Sequence, residues 1–347
     1  MTVMSNEFNT CVEERYHLCK YLYLIKKETD KRNRIKKERE LKLHKRVDIF
    51  ALPSHIKILF GPFLKTPQYT KIATLRGHTD IVLYLSFHEN KLYSCSRDKT
   101  IRVWNAETYE ELAILKGHTH WVLYLAHFKD KLYSCSGDDT IRVWNTETYE
   151  EIKSLKGWTG YIKCLTILEN KLYSASNDTT IRIWDIETHK EIAVLRGHTD
   201  WVRCLTLHEN KLFSASSDTI HIWNTETYEI IASLDLEDRI DNVYCLTVYK
   251  NTLYAGGINN TIRLWNTETY EKIATLRGHS SAVFSHAHFE NKLFSGSWDK
   301  TIRIWNTENR KRIGILKGHT DWVRCLTLRE NKLYSASDDK TIRVWKI

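Results

Sequence analysis

Three residue types that together can perform nucleophilic catalysis recur at a fixed spacing in this chain. His78 is followed by Ser94 and Asp98, and a serine activated by a histidine that a carboxylate orients is the catalytic arrangement of serine hydrolases. The same set returns four more times, each time followed within six residues by a tryptophan. Five copies of one catalytic site would serve no chemical purpose, whereas five copies of a structural hydrogen-bond network would. The recurrence therefore favours a structural role.

The tryptophan belongs to a longer repeat with a period of about 40 residues. The recurring segment Thr-Ile-Arg-Val-Trp ends at Trp104 and again at intervals of 40, 40, 39, 42, 40 and 40 residues. Apolar and polar residues alternate within each copy and short turns separate the runs, so each copy is predicted to form four short antiparallel strands. One such sheet cannot bury both of its faces alone, so seven are expected to pack around a common axis. The seven copies end at Trp104, Trp144, Trp184, Trp223, Trp265, Trp305 and Trp345.

Residues 69–347 resemble the WD-repeat β-propeller family, because most copies combine the Gly-His pair, the aspartate and the terminal tryptophan of that repeat. The Trp-Asp dipeptide itself occurs at Trp184-Asp185, and most other copies carry Trp-Asn. The resemblance implies an all-β fold, a seven-bladed β-propeller of four-stranded antiparallel blades. The seventh copy stops after its third strand. The orphan segment Tyr69–Leu75 matches the fourth strands of other copies, so it is expected to complete the last blade and remove an exposed sheet edge.

The resemblance assigns the recurring polar residues to the buried structural tetrad of the family. An indole N–H, a hydroxyl, an imidazole and a carboxylate can satisfy one another in a chain, and each link contributes roughly 1 kcal/mol. The third copy carries Trp158 in place of the histidine, and the fifth lacks the Gly-His pair and carries Ala255 and Asn259. These copies are expected to be less stable or altered for binding, with simple sequence drift as the alternative. The five predicted tetrads are His78, Ser94, Asp98 and Trp104; His118, Ser134, Asp138 and Trp144; His198, Ser214, Asp218 and Trp223; His279, Ser295, Asp299 and Trp305; and His319, Ser335, Asp339 and Trp345.

Five further tryptophans are predicted to gather on one rim of the propeller: Trp121, Trp158, Trp201, Trp298 and Trp322. They fall near the loop that enters the first strand of a copy or in the loop between its second and third strands. In the resembling family these positions face the upper opening and contact partners, and clustered aromatic and Arg residues are typical of interface hot spots. The alternative is that some of these tryptophans pack between blades. The predicted partner-binding residues are Arg97, Trp121, Tyr161, Lys163, Trp201, Arg203, Tyr244, Phe284, Trp298, Trp322 and Arg324.

The charge of the chain is concentrated at its beginning. The 347 residues carry 52 Lys and Arg against 43 Asp and Glu, and residues 1–68 hold 15 of the former, 8 of the latter and all three prolines. We therefore predict a basic, helical extension over residues 1–68 and the propeller over residues 69–347. Residues 11–25 suit an amphipathic helix, and residues 26–46 suit a solvated charged helix, a nuclear-localisation signal or a phosphate-contacting segment. Residues 52–64 resemble the start of an F-box, although too little chain follows for a complete one.

The composition argues against several classes of function. No apolar run reaches the ~18 residues of a membrane-spanning helix. The eight cysteines form no Cys-x-x-Cys pair, so we expect reduced thiols and a cytoplasmic or nuclear location. His286 and His288 have the strand spacing of two same-side ligands, but no third ligand accompanies them, so neither a metal nor a cofactor is predicted. No unique acid, base or nucleophile supports an enzyme.

The sequence therefore predicts a monomeric, non-enzymatic interaction scaffold or adaptor that binds a protein or peptide on the upper rim. The alternative is a substrate receptor of a ubiquitin ligase complex, which would also contact ligase subunits and would recognise an acidic or phosphorylated peptide. The residues predicted to read such a peptide are Arg97, Lys163, Arg203 and Arg324. A nucleic-acid partner would depend on the basic extension alone, and no membrane partner is expected.

Overall fold

The computed structural model describes residues 69–236 and 242–347, which form 28 β-strands in seven four-stranded antiparallel sheets. We number the sheets as blades 1 to 7. The first strands of neighbouring blades contact one another, and the last blade contacts the first, so the sheets form a closed ring. The predicted seven-bladed propeller is thereby confirmed. The described residues contain no helix, and hence none that could cross a membrane; the predicted N-terminal extension, its helices and its F-box-like segment lie outside them.

The strands of blades 1 to 6 follow one another along the chain in a simple meander. Blade 1 contains β2 (Val82–His88), β3 (Lys91–Ser96), β4 (Thr100–Asn105) and β5 (Glu111–Lys116), and blade 2 contains β6 (Val122–Phe128), β7 (Lys131–Ser136), β8 (Thr140–Asn145) and β9 (Glu151–Lys156). Blade 3 contains β10 (Ile162–Leu168), β11 (Lys171–Ser176), β12 (Ile181–Asp185) and β13 (Glu191–Leu195), and blade 4 contains β14 (Cys204–His208), β15 (Lys211–Ala215), β16 (Thr219–Asn224) and β17 (Ile230–Asp235).

The remaining blades complete the ring. Blade 5 contains β18 (Val243–Tyr249), β19 (Thr252–Gly257), β20 (Thr261–Asn266) and β21 (Lys272–Arg277), and blade 6 contains β22 (Val283–Phe289), β23 (Lys292–Ser297), β24 (Ile302–Asn306) and β25 (Arg312–Leu316). Blade 7 contains β26 (Val323–Arg329), β27 (Lys332–Ser337) and β28 (Thr341–Lys346), and its fourth strand is β1 (Thr70–Arg76) from the other end of the propeller sequence.

β1 closes the ring as the sequence predicts. It pairs antiparallel with β28 in a ladder from Thr70 opposite Lys346 to Arg76 opposite Thr341. Leu75 is 4% exposed and belongs to one hydrophobic cluster with residues of blades 7 and 1. A single strand thus protects the edge of blade 7 and contributes to its contact with blade 1.

The hydrophobic core lies between neighbouring blades. The alternation predicted for each strand places an aromatic residue of the second strand, such as Tyr93, against the next blade, where it packs in a cluster that includes Val122 and Leu125. Tyr93 and its counterparts Tyr133, Tyr173 and Tyr334 are fully buried. Since seven such interfaces fix the blades against each other, the loops at the ends of the ring are held on a rigid frame.

Blade 4 has a shorter turn than the other blades. In blade 1 Lys99 adopts a left-handed backbone (φ 70°) between β3 and β4, and residues at the same position do so in blades 2, 3, 5, 6 and 7. In blade 4 Thr219 follows Asp218 directly, so this left-handed residue is missing. β14 also begins at Cys204, two residues later than the equivalent of Val82, where β2 begins. The upper end of blade 4 is therefore built differently.

Candidate functional site

Two loops of each blade meet at one end of the ring, which we call the upper face. In blade 1 the backbone N–H of Arg97, between β3 and β4, donates to the carbonyl oxygen of Ile81, before β2, at 3.0 Å. We define the upper face by the residue pairs at these two positions in each blade. They are Ile81 and Arg97, Trp121 and Gly137, Tyr161 and Asn177, Trp201 and Ser217, Asn242 and Ile258, Ala282 and Trp298, and Trp322 and Asp338.

The recurring polar residues form buried hydrogen-bonded chains beneath this face. In blade 1 the indole N–H of Trp104 donates to the Ser94 hydroxyl at 2.8 Å, Ser94 Oγ lies 2.8 Å from Nε2 of His78, and Nδ1 of His78 lies 2.7 Å from Asp98 Oδ2. With its Nδ1–H donated to the carboxylate, the neutral imidazole uses Nε2 to accept a hydrogen bond from the serine hydroxyl. Ser94 is fully buried, so its hydroxyl is inaccessible to a substrate. The same three links occur in His118, Ser134, Asp138 and Trp144, in His279, Ser295, Asp299 and Trp305, and in His319, Ser335, Asp339 and Trp345.

The tetrad predicted for blade 4 is incomplete. Trp223 and His198 both hydrogen-bond the Ser214 hydroxyl, at 2.8 and 2.7 Å. The prediction that Asp218 completes the chain is wrong, because Nδ1 of His198 lies 3.4 Å from the Thr219 hydroxyl instead. The shortened turn of this blade directs the Asp218 carboxylate to the hydroxyl of Ser216, at 2.9 Å.

Blade 3 replaces the tetrad by packing. Trp158, at the histidine position, is 6% exposed and packs on Trp184 with 4.8 Å between ring centroids. The prediction that Trp158 lies on the rim is therefore wrong, because its indole fills the space that the imidazole occupies elsewhere. The indole nitrogens of both tryptophans are buried, and neither has a hydrogen-bond partner within residues 69–236 and 242–347. This blade thus exchanges polar links for apolar contact.

The tetrad carboxylates are held in their charged form. Burial alone would raise the pKa of Asp98, but hydrogen bonds from His78 and Thr100 hold it well below its usual range. The same causes lower the pKa values of Asp138, Asp299 and Asp339. A depressed carboxylate pKa contributes stability that is present above the unfolded-state value, near 4, and is lost as the pH falls towards the folded-state value.

Three buried histidines are held in the neutral form. Burial lowers the pKa of His127 to about 3, with a further contribution from His88, and lowers that of His198 to about 3, with a further contribution from His221. Burial alone lowers the pKa of His288 to about 4. An unfolded histidine titrates near pH 6.5, so the unfolded chain takes up protons that the folded chain excludes.

We expect the free energy of unfolding to fall as the pH is lowered from 6.5 towards 4. In this window the unfolded state binds more protons, and each such histidine gives a slope of up to about 1.4 kcal/mol per pH unit. Denaturant midpoints measured between pH 7.5 and 4.5 should fall, and the His127→Asn variant should show a shallower fall. Midpoints that stay constant over this range would contradict the assignment.

Four aromatic side chains of blades 5 to 7 form a continuous row at the upper face. We call this set the aromatic row: Tyr244, Phe284, Trp298 and Trp322. Trp322 stacks on Trp298 with 4.0 Å between centroids and 15° between planes. Trp298 lies 5.0 Å from Phe284, which stacks on Tyr244 at 4.4 Å. The buried indole nitrogen of Trp298 has no hydrogen-bond partner among the described residues.

The predicted basic residues fall into two classes. Arg324 lies over the rings of Phe284 and Trp322, at 4.8 and 4.9 Å, and is ion-paired with Asp338. Arg97, Lys163 and Arg203 make no ion pair with a described residue, and we call these three the basic group. Arg97 lies 4.1 Å from the ring centre of Trp121, Lys163 lies 5.3 Å from that of Tyr161, and Arg203 lies 5.2 Å from that of Trp201.

A central cavity of about 330 Å³ lies below the upper face. Its upper wall takes one side chain from the first-strand segment of each blade, and these are Leu83, Leu123, Lys163, Arg203, Tyr244, Phe284 and Arg324. Its lower wall includes Tyr84 and Tyr124, whose hydroxyl groups lie 2.7 Å apart. Within the described chain no Asp or Glu side chain lines this cavity. Its lining therefore combines four cationic side chains with aromatic rings.

The described residues contain no group of three or more His, Cys, Asp or Glu side chains placed to hold a metal ion. His286 lines the cavity beside Cys245, whose sulfur lies 3.7 Å from the ring nitrogens. Burial lowers the pKa of His286 and raises that of the Cys245 thiol, so both groups are neutral. His288 instead hydrogen-bonds Thr247 at 3.1 Å.

Two contributors to this surface escaped the sequence analysis. His120 packs between Trp121 and Tyr161, with centroid distances of 4.8 and 5.2 Å, and thereby links blades 2 and 3. A signal was present, because Gly137 leaves the space that His120 fills: a Cβ atom there would lie 2.4 Å from Nδ1 of His120. The second contributor is Asp338, which lies just after β27 and pairs with Arg324 on β26.

Six segments of the chain match the family model described as WD domain, G-beta repeat. They are residues 69–105, 109–145, 149–185, 189–224, 270–306 and 310–346, more than half of the chain. One similar solved structure is the crystal structure of the WD40 beta propeller domain of Doa1. It is 22% identical, with 81% of this chain and 98% of that chain covered and a TM-score of 0.74, a likeness that supports the fold. The comparison with curated proteins gave no match.

Proposed function

Because the chain belongs to the WD40-repeat family, we propose that it is a non-enzymatic interaction scaffold that binds a protein or peptide partner on its upper face. WD40 propellers typically act as protein-interaction scaffolds. The closed ring supports such a role, since it holds loop residues from seven blades on a rigid frame. The function itself must come from the surface that the loops present.

The observation that carries this proposal is the concentration of aromatic and basic side chains on one face. Trp201 is 45% exposed, and the Arg203 guanidinium lies between it and Tyr244, at 5.2 and 5.7 Å from the ring centres. Rigid aromatic and Arg side chains that are already stacked lose little conformational entropy on binding. They are also the residue types that contribute most binding energy at protein interfaces.

Catalysis has no comparable support. The repeated Ser, His and Asp side chains are engaged in tetrads or packed below the surface, and the thiols of the six propeller cysteines are buried. The substrate-receptor role in a ubiquitin ligase stays a prediction, because the F-box-like residues 52–64 lie outside the described chain. The monomeric state and a cytoplasmic or nuclear location are likewise predictions from the sequence.

We expect the double variant Trp201→Ala, Arg203→Ala to capture its main cellular partner in an amount at least about tenfold lower than the wild type captures. Neither side chain belongs to the hydrophobic clusters that join blade 4 to its neighbours, so the thermal midpoint should change little. The measurement is quantitative capture from a cell lysate by the full chain, with circular dichroism of each variant.

The matched control is Ile231→Ala. Ile231 is also 45% exposed and also belongs to blade 4, but it lies on the outermost strand, so the variant should capture as much partner as the wild type. Retention of every partner by the double variant, or equal loss in both variants, would show that the upper face is not the binding surface.

A further inference from the structure

Blades 4 and 7 carry the same seven-residue segment at the upper face. Trp-Val-Arg-Cys-Leu-Thr-Leu occurs at residues 201–207 and again at residues 322–328. It places Arg203 and Arg324 at equivalent positions, and both side chains line the central cavity. The two arginines therefore form a natural pair for comparison.

Their electrostatic surroundings differ at the residue 14 positions further along the chain. In blade 7 Nε and Nη2 of Arg324 donate to the two carboxylate oxygens of Asp338, at 2.6 and 2.9 Å. The equivalent of Asp338 in blade 4 is Ser217, and Nε of Arg203 is buried with no hydrogen-bond partner among the described residues. The nearby carboxylate of Asp200 is engaged instead by the Trp201 N–H, at 2.7 Å, and by the hydroxyl of Ser217. Arg324 is thus ion-paired by direct contact, whereas Arg203 makes no ion pair with a described residue and acts on the Asp200 charge only at longer range.

Two further cations share the cavity with Arg203. Lys163 and Arg97 line the same space, and Nε of Arg97 is also buried without a hydrogen-bond partner in the described part of the chain. Burial lowers the pKa of Lys163, and the neighbouring charges of Arg203 and Arg97 lower it further. No acidic side chain of the described residues lines the cavity, so none lies between these cations there.

We propose that the basic group binds a phosphate monoester carried by the peptide partner. The inference rests on the scaffold function and adds the chemical class of the ligand. Three neighbouring cations would be only partly neutralised by a single carboxylate, whereas a phosphate monoester brings a charge of about −1.5 to −2 and three acceptor oxygens. Two guanidinium groups and one ammonium group offer the directed, charge-assisted donors that such oxygens accept. The aromatic row, which begins at Tyr244 beside Arg203, is left for apolar side chains that flank the phosphorylated residue.

The test introduces beside Arg203 in blade 4 a carboxylate like the one that pairs with Arg324 in blade 7. Full-length wild-type protein is presented with a library of peptides that carry a central phosphoserine, phosphothreonine or phosphotyrosine, with the same peptides carrying glutamate or the unmodified residue, and with inorganic phosphate as a competitor. The best phosphopeptide should bind at least about tenfold more tightly than its glutamate and unmodified forms.

Ser217→Asp should then weaken phosphopeptide binding at least about tenfold, because the new carboxylate occupies Arg203 as Asp338 occupies Arg324. Ser217→Asn, which has a similar shape and no charge, should bind within about twofold of the wild type. Lys163→Gln serves as a second variant that removes charge from the site without adding an acid near Asp200, and thermal midpoints are measured for all variants.

Four outcomes would overturn the inference. Two concern the ligand: phosphopeptides bind no more tightly than unmodified peptides, or inorganic phosphate binds at the site while phosphopeptides show no preference. Two concern the variants: Ser217→Asp binds phosphopeptide as tightly as the wild type, or Ser217→Asp and Ser217→Asn lose equal affinity while both keep native stability. The outcome with inorganic phosphate would assign the site to a small free anion. If Trp201→Ala, Arg203→Ala loses the cellular partner while phosphatase treatment and Ser217→Asp do not, the scaffold function stands and the phosphate inference fails.

Discussion

Removal of residues 1–76 is expected to abolish cooperative unfolding of the propeller, whereas removal of residues 1–60 is expected to preserve it. The longer deletion eliminates β1, which supplies the fourth strand of blade 7 through its ladder with β28. The loss exposes the backbone hydrogen-bonding groups of β28 and uncovers the cluster that joins blades 7 and 1. Without β1 the outer edge of blade 7 is an unpaired strand. Because unpaired strand edges can pair with other chains, aggregation should accompany the loss of stability. The measurements are thermal unfolding by circular dichroism and light scattering.

Two point variants on β1 test whether the strand stabilises the ring through its buried side chain. Leu75 is 4% exposed and Ile72 is 45% exposed. Leu75→Ala should lower the free energy of unfolding by about 2–4 kcal/mol, whereas Ile72→Ala should change it by less than about 0.5 kcal/mol. Equal thermal midpoints for the two deletions, or equal costs for the two point variants, would show that β1 is not the closing strand.

The ring and its closure could be predicted because the repeat leaves few alternatives. A four-stranded sheet with two apolar faces is unstable alone, and a spacing near 40 residues fixes one sheet per copy. The match of Tyr69–Leu75 to other fourth strands then places β1 in blade 7. These arguments depend only on the residue types and on their order along the chain, and the order of the strands in the fold follows that order directly.

The sequence was less informative where geometry depends on one residue. Loss of a residue after Asp218 looks like a minor deletion, yet it removes the left-handed position that orients the carboxylate towards the histidine in other blades. Trp158 looks like a spare surface aromatic, but Trp184 beside it offers a packing partner. In both cases local three-dimensional contacts decide the outcome, and the repeat pattern does not encode them.

The chemistry of the upper face was predicted in part. Position along the repeat brings the basic and aromatic residues to one end of the ring, but it cannot show which cations are neutralised. Arg203 and Arg324 are indistinguishable in their own segments, and their difference arises 14 residues later, at Ser217 and Asp338. A repeat protein can therefore differentiate equivalent blades by changing one loop residue while the frame remains constant.

Asp98→Ala is expected to lower the free energy of unfolding by about 2–4 kcal/mol. The carboxylate accepts four hydrogen bonds: from Nδ1 of His78 at 2.7 Å, from the backbone N–H of Thr79 at 3.1 Å, and from the N–H and hydroxyl of Thr100 at 2.9 and 2.6 Å. Its removal leaves a buried imidazole without an acceptor, and an unpaired buried donor costs more than a solvated one. The measurement is chemical denaturation at pH 7.

Asp218→Ala provides the matched control, since this aspartate occupies the same repeat position without reaching His198. Its carboxylate accepts from hydroxyl groups alone, at 2.9 Å from Ser216 and at 3.3 and 3.5 Å from Thr199 and Thr219. The cost should therefore stay below about 1 kcal/mol. Equal costs at the two positions would mean that the carboxylates act through their turns and not through the histidine. A larger cost at Asp98 would show instead that the complete chain from indole to carboxylate stabilises a blade. The same comparison would explain how blade 4 tolerates its shortened turn. Because Asp218 does not hydrogen-bond His198, the turn does not have to hold the carboxylate in the position that Asp98 occupies in blade 1.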